Sequence, residues 1–359
     1  MSAERLAIIT TRLPPAVCGI GTYSWLLRQH WPNENSTIEF LVMDGSAKAT
    51  SLGDRVTAFN GSGTQLAREL ERIGSADVLL HYAGRAYQRF GCPTWMPGVL
   101  MKWKQKFPGG RLAIFFHELS GRFPITSRQF WVAKISSRII RRLASTADLL
   151  MTNTENQAGQ LGEISGRNDI HVLLVGSNIE RGKAPSSPRA RNEFLIFGLP
   201  FGRWQTIQVF GSYIRRWHAD GHLTKLHLVG PQDDEFAKRA DELLPADFIV
   251  RHGTLPSIQV SELLRRVGFA LTNVSEKTWS KSGAFMACAA NVCPVVIASA
   301  RPESVPLCHV VGANEVASIS EAELSGRTAA LADWYRDNAD WPVIAKQMAA
   351  LWSLEKGRS

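Results

Sequence analysis

Short, almost uninterrupted runs of Ile, Val, Leu and Phe recur along this chain, each separated from the next by a stretch with helical spacing. No other feature narrows the fold as far. A first series lies at 6–10, 38–43, 77–82, 111–117, 148–153 and 170–175, and a second at 194–198, 225–229, 247–251, 269–273 and 294–298. Strands with apolar residues on both faces belong to parallel sheets covered by helices on both sides. The expected fold class is therefore α/β, twice over.

The two series are separated at 181–192, where Gly182, Pro185, Ser186, Ser187 and Pro188 gather among Arg and Lys residues. That composition reads as a linker. The expected organisation is a first domain at 1–180, the linker, a second domain at 193–325, and closing helices at 326–359 that pack back toward the first domain. A length of 359 residues, with 45% hydrophobic and 20% charged residues, supplies two cores and excludes global disorder. The apolar runs fall far short of the ~20 residues that cross a bilayer, and the first residues lack the apolar core of a leader. Five cysteines without paired CxxC spacing suit a reducing cytoplasm and give no zinc framework. A net charge of +9 points to anionic partners, whereas zinc-finger, RNP and basic-tail signatures of nucleic-acid binding are missing from the sequence.

Ligands of such sheets sit at the carboxyl ends of the strands, so the loops leaving each strand are where site residues are expected. After the first strand come Pro14, Pro15, Gly19, Gly21 and Tyr23. Glycines there admit a ligand close to backbone N–H groups and a helix start. A dinucleotide fingerprint is the rival, with Asp44 at a suitable distance. It fails because Ser24 replaces the third glycine and the two prolines lengthen the turn. His117 and Glu118 leave the central strand, and a histidine at that position is suited to proton sharing near neutral pH. Asn153 lies at the exit of the next strand, where a cap for the following helix is its plainer use.

In the second half, Arg203 follows a glycine-bearing turn from which it could clamp a diphosphate bidentately. His252 and Gly253 leave a strand where a flat base could lie against backbone. Lys281, Ser282 and Gly283 open an apolar helix, bringing a cation, a hydroxyl and free amides to its positive end. A Walker loop is excluded by spacing. The plainer alternatives are a surface arginine, a simple turn and a serine cap.

Taken in order, these segments resemble the GT-B glycosyltransferases, specifically the large retaining family four. The resemblance rests on the Pro-rich first loop with Gly19-Ile20-Gly21 and Tyr23, Phe116-His117-Glu118-Leu119, Thr152-Asn153-Thr154-Glu155, Val175-Gly176-Ser177-Asn178-Ile179, and Lys281-Ser282-Gly283 running through Phe285-Met286-Ala287 to Cys293-Pro294-Val295-Val296. It implies two Rossmann-like domains whose parallel sheets face across a cleft. It further implies a hexosyltransferase that needs no metal or cofactor and takes a nucleotide-sugar as co-substrate. The sugar would pass, with retention, to a saccharide or lipid-linked acceptor in bacterial polysaccharide or glycolipid synthesis. His117 would be the catalytic residue near the reacting carbon. Gly19, Gly21, Arg203, His252, Gly253, Glu276, Lys281, Ser282 and Gly283 would bind the donor, and Tyr23, Glu118 and Asn153 would form the acceptor side of the cleft rim.

The sequence departs from that family at two features. The usual Arg and Lys pair after the second domain's first strand is reduced to Arg203, with Leu199 near the arginine position. Two glutamates eight positions apart usually precede the Pro-Val-Val strand, and counting back from Pro294 places them at Trp279 and Ala287, with Glu276 as the nearest carboxylate. A catalytically silent nucleotide-binding or interaction protein is thus the second reading, and a nicotinamide oxidoreductase the third. Finally, Lys134, Arg138, Arg141 and Arg142 share a helix with Trp131, Ile135, Ile139 and Leu143. Together with Lys102, Lys104, Lys106, Trp95 and Trp103, they would suit peripheral contact with the inner face of a membrane, a solvated helix face being the plainer alternative.

Overall fold

The computed structural model describes residues 5–16, 18–33, 36–44, 52–119, 121, 123–183 and 188–356. The chain divides into two units, one formed by Met1–Leu174 with Ile344–Ser359 and the other by Val175–Val343.

The first unit is built on a 7-stranded sheet in the order β3-β2-β1-β4-β5-β6-β7, every pairing parallel. Its strands are β1 Arg5–Thr10, β2 Thr37–Val42, β3 Arg55–Ala58, β4 Asp77–Tyr82, β5 Leu112–Phe116, β6 Leu149–Thr152 and β7 Ile170–Val172. Ile9, Leu80, Ile114, Phe116 and Leu150 are fully buried against the flanking helices. The helices begin and end where the sequence offers caps. Thr154 accepts the amide of Gln157 at 3.0 Å to start the Glu155–Ser165 helix, and Gly166, at φ 76°, ends it in the left-handed region.

In the second unit a 6-stranded parallel sheet runs in the order β10-β9-β8-β11-β12-β13. These strands are β8 Ala190–Phe197, β9 Lys225–Val229, β10 Ile249–Gly253, β11 Val267–Leu271, β12 Val295–Ile297 and β13 Val311–Gly312. Phe194, Phe210, Trp217 and Phe269 form the aromatic centre of its core. Each sheet reverses its strand order once, between β1 and β4 and between β8 and β11, and such reversals open crevices at strand carboxyl ends.

Every apolar run expected as a strand overlaps one. The half-buried edge strand β3 and the two-residue β13 carry too few apolar residues to stand out in sequence. The chain passes between units at 174/175 and 343/344, not at 181–192. Of the expected linker, 184–187 lie outside the described residues; Gly182 is already fixed in the second unit, its N–H donating to Ser261 Oγ, and β8 begins at Ala190. The Glu321–Asn338 helix also belongs to the second unit, and only the Trp341–Lys356 helix reaches the first.

Candidate functional site

At the carboxyl end of β1 the chain turns through a cis Pro14–Pro15 bond into a helix that starts at Gly19. The two glycines are unlike. A Cβ on Gly19 would meet nothing within 4 Å, whereas one on Gly21 would lie 1.3 Å from the carbonyl oxygen of Arg12. Gly21 therefore serves the packing of helix against loop, and Gly19 keeps the open backbone expected of a ligand contact. Beside them lies a groove of about 490 Å³ lined by Thr11, Arg12, Cys18, Asp44, Asn60 and Arg85. Arg12 and Asp44 pair across it at 2.8 Å.

Tyr23, expected at the rim, is instead buried among the rings of His81, Phe115 and His117, and burial raises its phenol far above the ordinary range. His117 follows β5, stacked on Phe115 at 4.6 Å, with its Nε2 2.9 Å from Nδ1 of His81. Burial pushes its pKa down to about 3, and a hydrogen bond with Asn153 opposes that shift. Asn153 is itself buried, and its Nδ2 donates to Leu173 O at 3.3 Å, so its oxygen remains to accept an N–H from His117. This assignment makes His117 Nε2 the acceptor and His81 Nδ1 the donor. His81 Nε2 is left as a bare, buried acceptor without a partner. Burial, and then His117, hold His81 well below the usual histidine pKa. Both nitrogens of His117 are thus engaged by protein, Asn153 orients it from within, and the neighbouring Glu118 is exposed.

His81 escapes sequence reasoning because nothing distinguishes it from a strand-end polar residue. Its only signal is a lone histidine among the apolar residues at 78–82.

In the second unit, Lys281 ends the turn that follows β11, and Gly283 opens the next helix. Lys281 is exposed and makes no ion pair among the described residues. Ser282 caps the Gly283–Ala290 helix, its Oγ accepting the amide of Phe285 at 3.2 Å, so the hydroxyl expected to bind donor is used as a cap. Gly283 and Ala284 precede that capped amide at the positive end of the helix. At the end of β11, Thr272 Oγ1 is buried without a partner. Glu276 is exposed and accepts from Ser304 Oγ at 3.4 Å.

Arg203 is not free to clamp a diphosphate. Its Nη1 donates to Gly198 O at 2.6 Å and Val229 O at 3.3 Å, and its Nη2 to Pro231 O at 2.7 Å. It ties together the chain ends leaving β8 and β9. Burial, then Arg251, lower its pKa. His252 is likewise held inward, its Nε2 2.9 Å from Nδ1 of His227, whose Nε2 lies 3.1 Å from Glu193. Gly253, at φ 66°, leaves open space at its Cα as expected for backbone that admits a ligand.

No protein-family model matches the sequence, and no curated protein matches it. Solved structures do match. The sucrose-phosphate synthase of Thermosynechococcus elongatus superposes with a TM-score of 0.75 at 13% identity, covering 99% of this chain and 100% of that one. WaaG, a glycosyltransferase involved in lipopolysaccharide biosynthesis, matches with a TM-score of 0.65 at 12% identity over 96% of this chain and 98% of its own. The chain has the GT-B fold. A third GT-B neighbour, the α,α-trehalose 6-phosphate synthase of Burkholderia multivorans, gives a TM-score of 0.66 at 9% identity, covering 99% of this chain and 98% of that one. Trp279 and Ala287, near which the missing glutamates are expected from the sequence, are respectively edge-on to Trp334 at 5.3 Å and fully buried in a helix.

Proposed function

We propose that this protein is a glycosyltransferase that takes a nucleotide-sugar donor and passes its sugar to a saccharide or lipid-linked acceptor. The observation that carries the reading is the unpaired Lys281 ahead of the open amides of Gly283 and Ala284, on the loop following the switch-point strand β11. A cation and a helix N-terminus together suit a diphosphate, and they would stabilise the negative charge that develops as the glycosidic bond to that diphosphate breaks. Glu276 takes the place of the missing glutamates in holding the donor, and Gly253 admits the base. In the first unit the groove beside Gly19 receives the acceptor. The neutral ring of His117 borders the reacting sugar, oriented by His81 and Asn153. Retention of configuration and independence of metal belong to this proposal.

The test is turnover of a panel of nucleotide sugars, with nucleoside diphosphate binding measured in parallel. Lys281→Ala should weaken nucleoside diphosphate about tenfold and leave the nucleoside unchanged, in line with one charge-assisted phosphate contact. Equal weakening of both ligands would remove Lys281 from the phosphate site.

Trp279 and Ala287 favour a second reading, a silent relative that binds nucleotide without transfer. Nucleotide binding with no donor consumption across the panel would select it.

A further inference from the structure

The Arg128–Thr146 helix turns a face outward that is neither core nor ordinary solvated surface. Trp131 is 61% exposed and Ile135, one turn on, 41%; in the loop before the helix Ile125 is 67% exposed. The sequence spacing places Trp131 and Ile135 with the core-facing Ile139 and Leu143, but only the latter two are buried. Alongside runs a second ridge at i, i+4 and i+8, formed by Lys134, Arg138 and Arg142, all exposed. The helix contains no Asp or Glu. Lys134 Nζ sits 5.0 Å over the ring of Phe130 and 5.7 Å over that of Trp131, so cations border the apolar tip directly.

Of the lysines of the Met96–Lys106 helix, two are paired with carboxylates and not free as the sequence suggests. Lys104 pairs with Asp148 and Lys106 with Glu71, and Trp103 is buried with its indole N–H donated to Gly74 O.

We infer that this face docks onto an anionic lipid surface. Exposed aromatic and branched side chains flanked by cations that form no ion pair among the described residues match the two layers of such a surface, acyl boundary and headgroup phosphate. A protein partner would have to be acidic over the whole ridge while offering an apolar socket for Trp131. Attachment would be peripheral, because no helix among the described residues is long and apolar enough to cross a membrane. The helix begins on the side of the sheet where β5 ends, so docking there brings the His117 edge to the lipid surface. The inference concerns where the protein resides and does not depend on whether it transfers sugar.

Sedimentation of the full chain with vesicles tests it, comparing phosphatidylcholine alone with phosphatidylcholine mixed with phosphatidylglycerol. The protein should pellet with the mixed vesicles only, and added salt should release it. Lys134→Glu, Arg138→Glu and Arg142→Glu combined should weaken this binding by about 100-fold, and Trp131→Ser with Ile135→Ser by about tenfold. Nucleoside diphosphate affinity and thermal midpoint should stay at their original values in both variants. Absence of binding to the mixed vesicles, or binding unchanged in both variants, would overturn the inference. A dimer in solution that Trp131→Ser dissociates would also overturn it, by giving the face to a second copy of the chain.

Discussion

Val292 holds a left-handed backbone, φ 54°, which a β-branched side chain rarely adopts. It sits in the turn between the Gly283–Ala290 helix and β12, where its N–H donates to Ala289 O. Val292→Gly should raise stability by about 1 kcal/mol, the strain relieved exceeding the entropy a glycine adds to the unfolded chain; chemical denaturation would measure it. The buried histidines carry a second prediction. His117 and His81 are both neutral when folded, with pKa values held below the ordinary 6.5, so the unfolded chain binds protons that the folded chain refuses. The contribution of His117 is complete above pH 6.5 and is lost as pH falls toward about 3, at roughly 1.4 kcal/mol per pH unit, and His81 adds a slope of the same sign below pH 6.5. Unfolding free energies across that window should show the slope, and His81→Leu should reduce it by one proton. A slope unchanged in His81→Leu would mean that His81 is already protonated in the fold.

The elements show why some assignments were legible in sequence and others were not. Buried parallel strands need apolar residues on both faces, so their positions are written as runs of one composition. The caps Thr154 and Ser282 and the closing Gly166 are equally local. Whether a glycine faces a ligand or a neighbouring backbone is not local. Gly19→Ala should change stability by no more than about 0.5 kcal/mol, since nothing lies near its Cα, whereas Gly21→Ala must displace the Arg12 carbonyl and should cost about 3 kcal/mol. Thermal unfolding of the pair separates the two roles, and loss of donor turnover in Gly19→Ala at full stability would tie that glycine to the ligand. Arg203 follows the same logic. Sequence places it after a turn, but the carbonyls leaving β8 and β9 converge on its guanidinium.

At the scale of the whole molecule, the last helix closes the first unit. Trp352 is buried there, its indole N–H donating to Asp77 at 2.8 Å while Arg111 lies 5.1 Å over its ring. Trp352→Ala should cost about 3–5 kcal/mol. Removing 344–359 should lower the thermal midpoint further and expose the first sheet to protease, because Ile344 and Met348 leave with it. A truncated chain as stable as the intact one would make that helix dispensable. By itself, the sequence determined the alternating parallel-sheet architecture, the strand positions and the glycine and histidine loops at strand ends, because burial and capping act through residues near one another in the chain. The pairing of His81 with His117, the capture of Arg203 by carbonyls, and the burial of Tyr23 and Asn153 were decided only by tertiary structure. Each depends on atoms brought together from distant strands, where hydrogen-bond geometry and desolvation, not composition, select the partner.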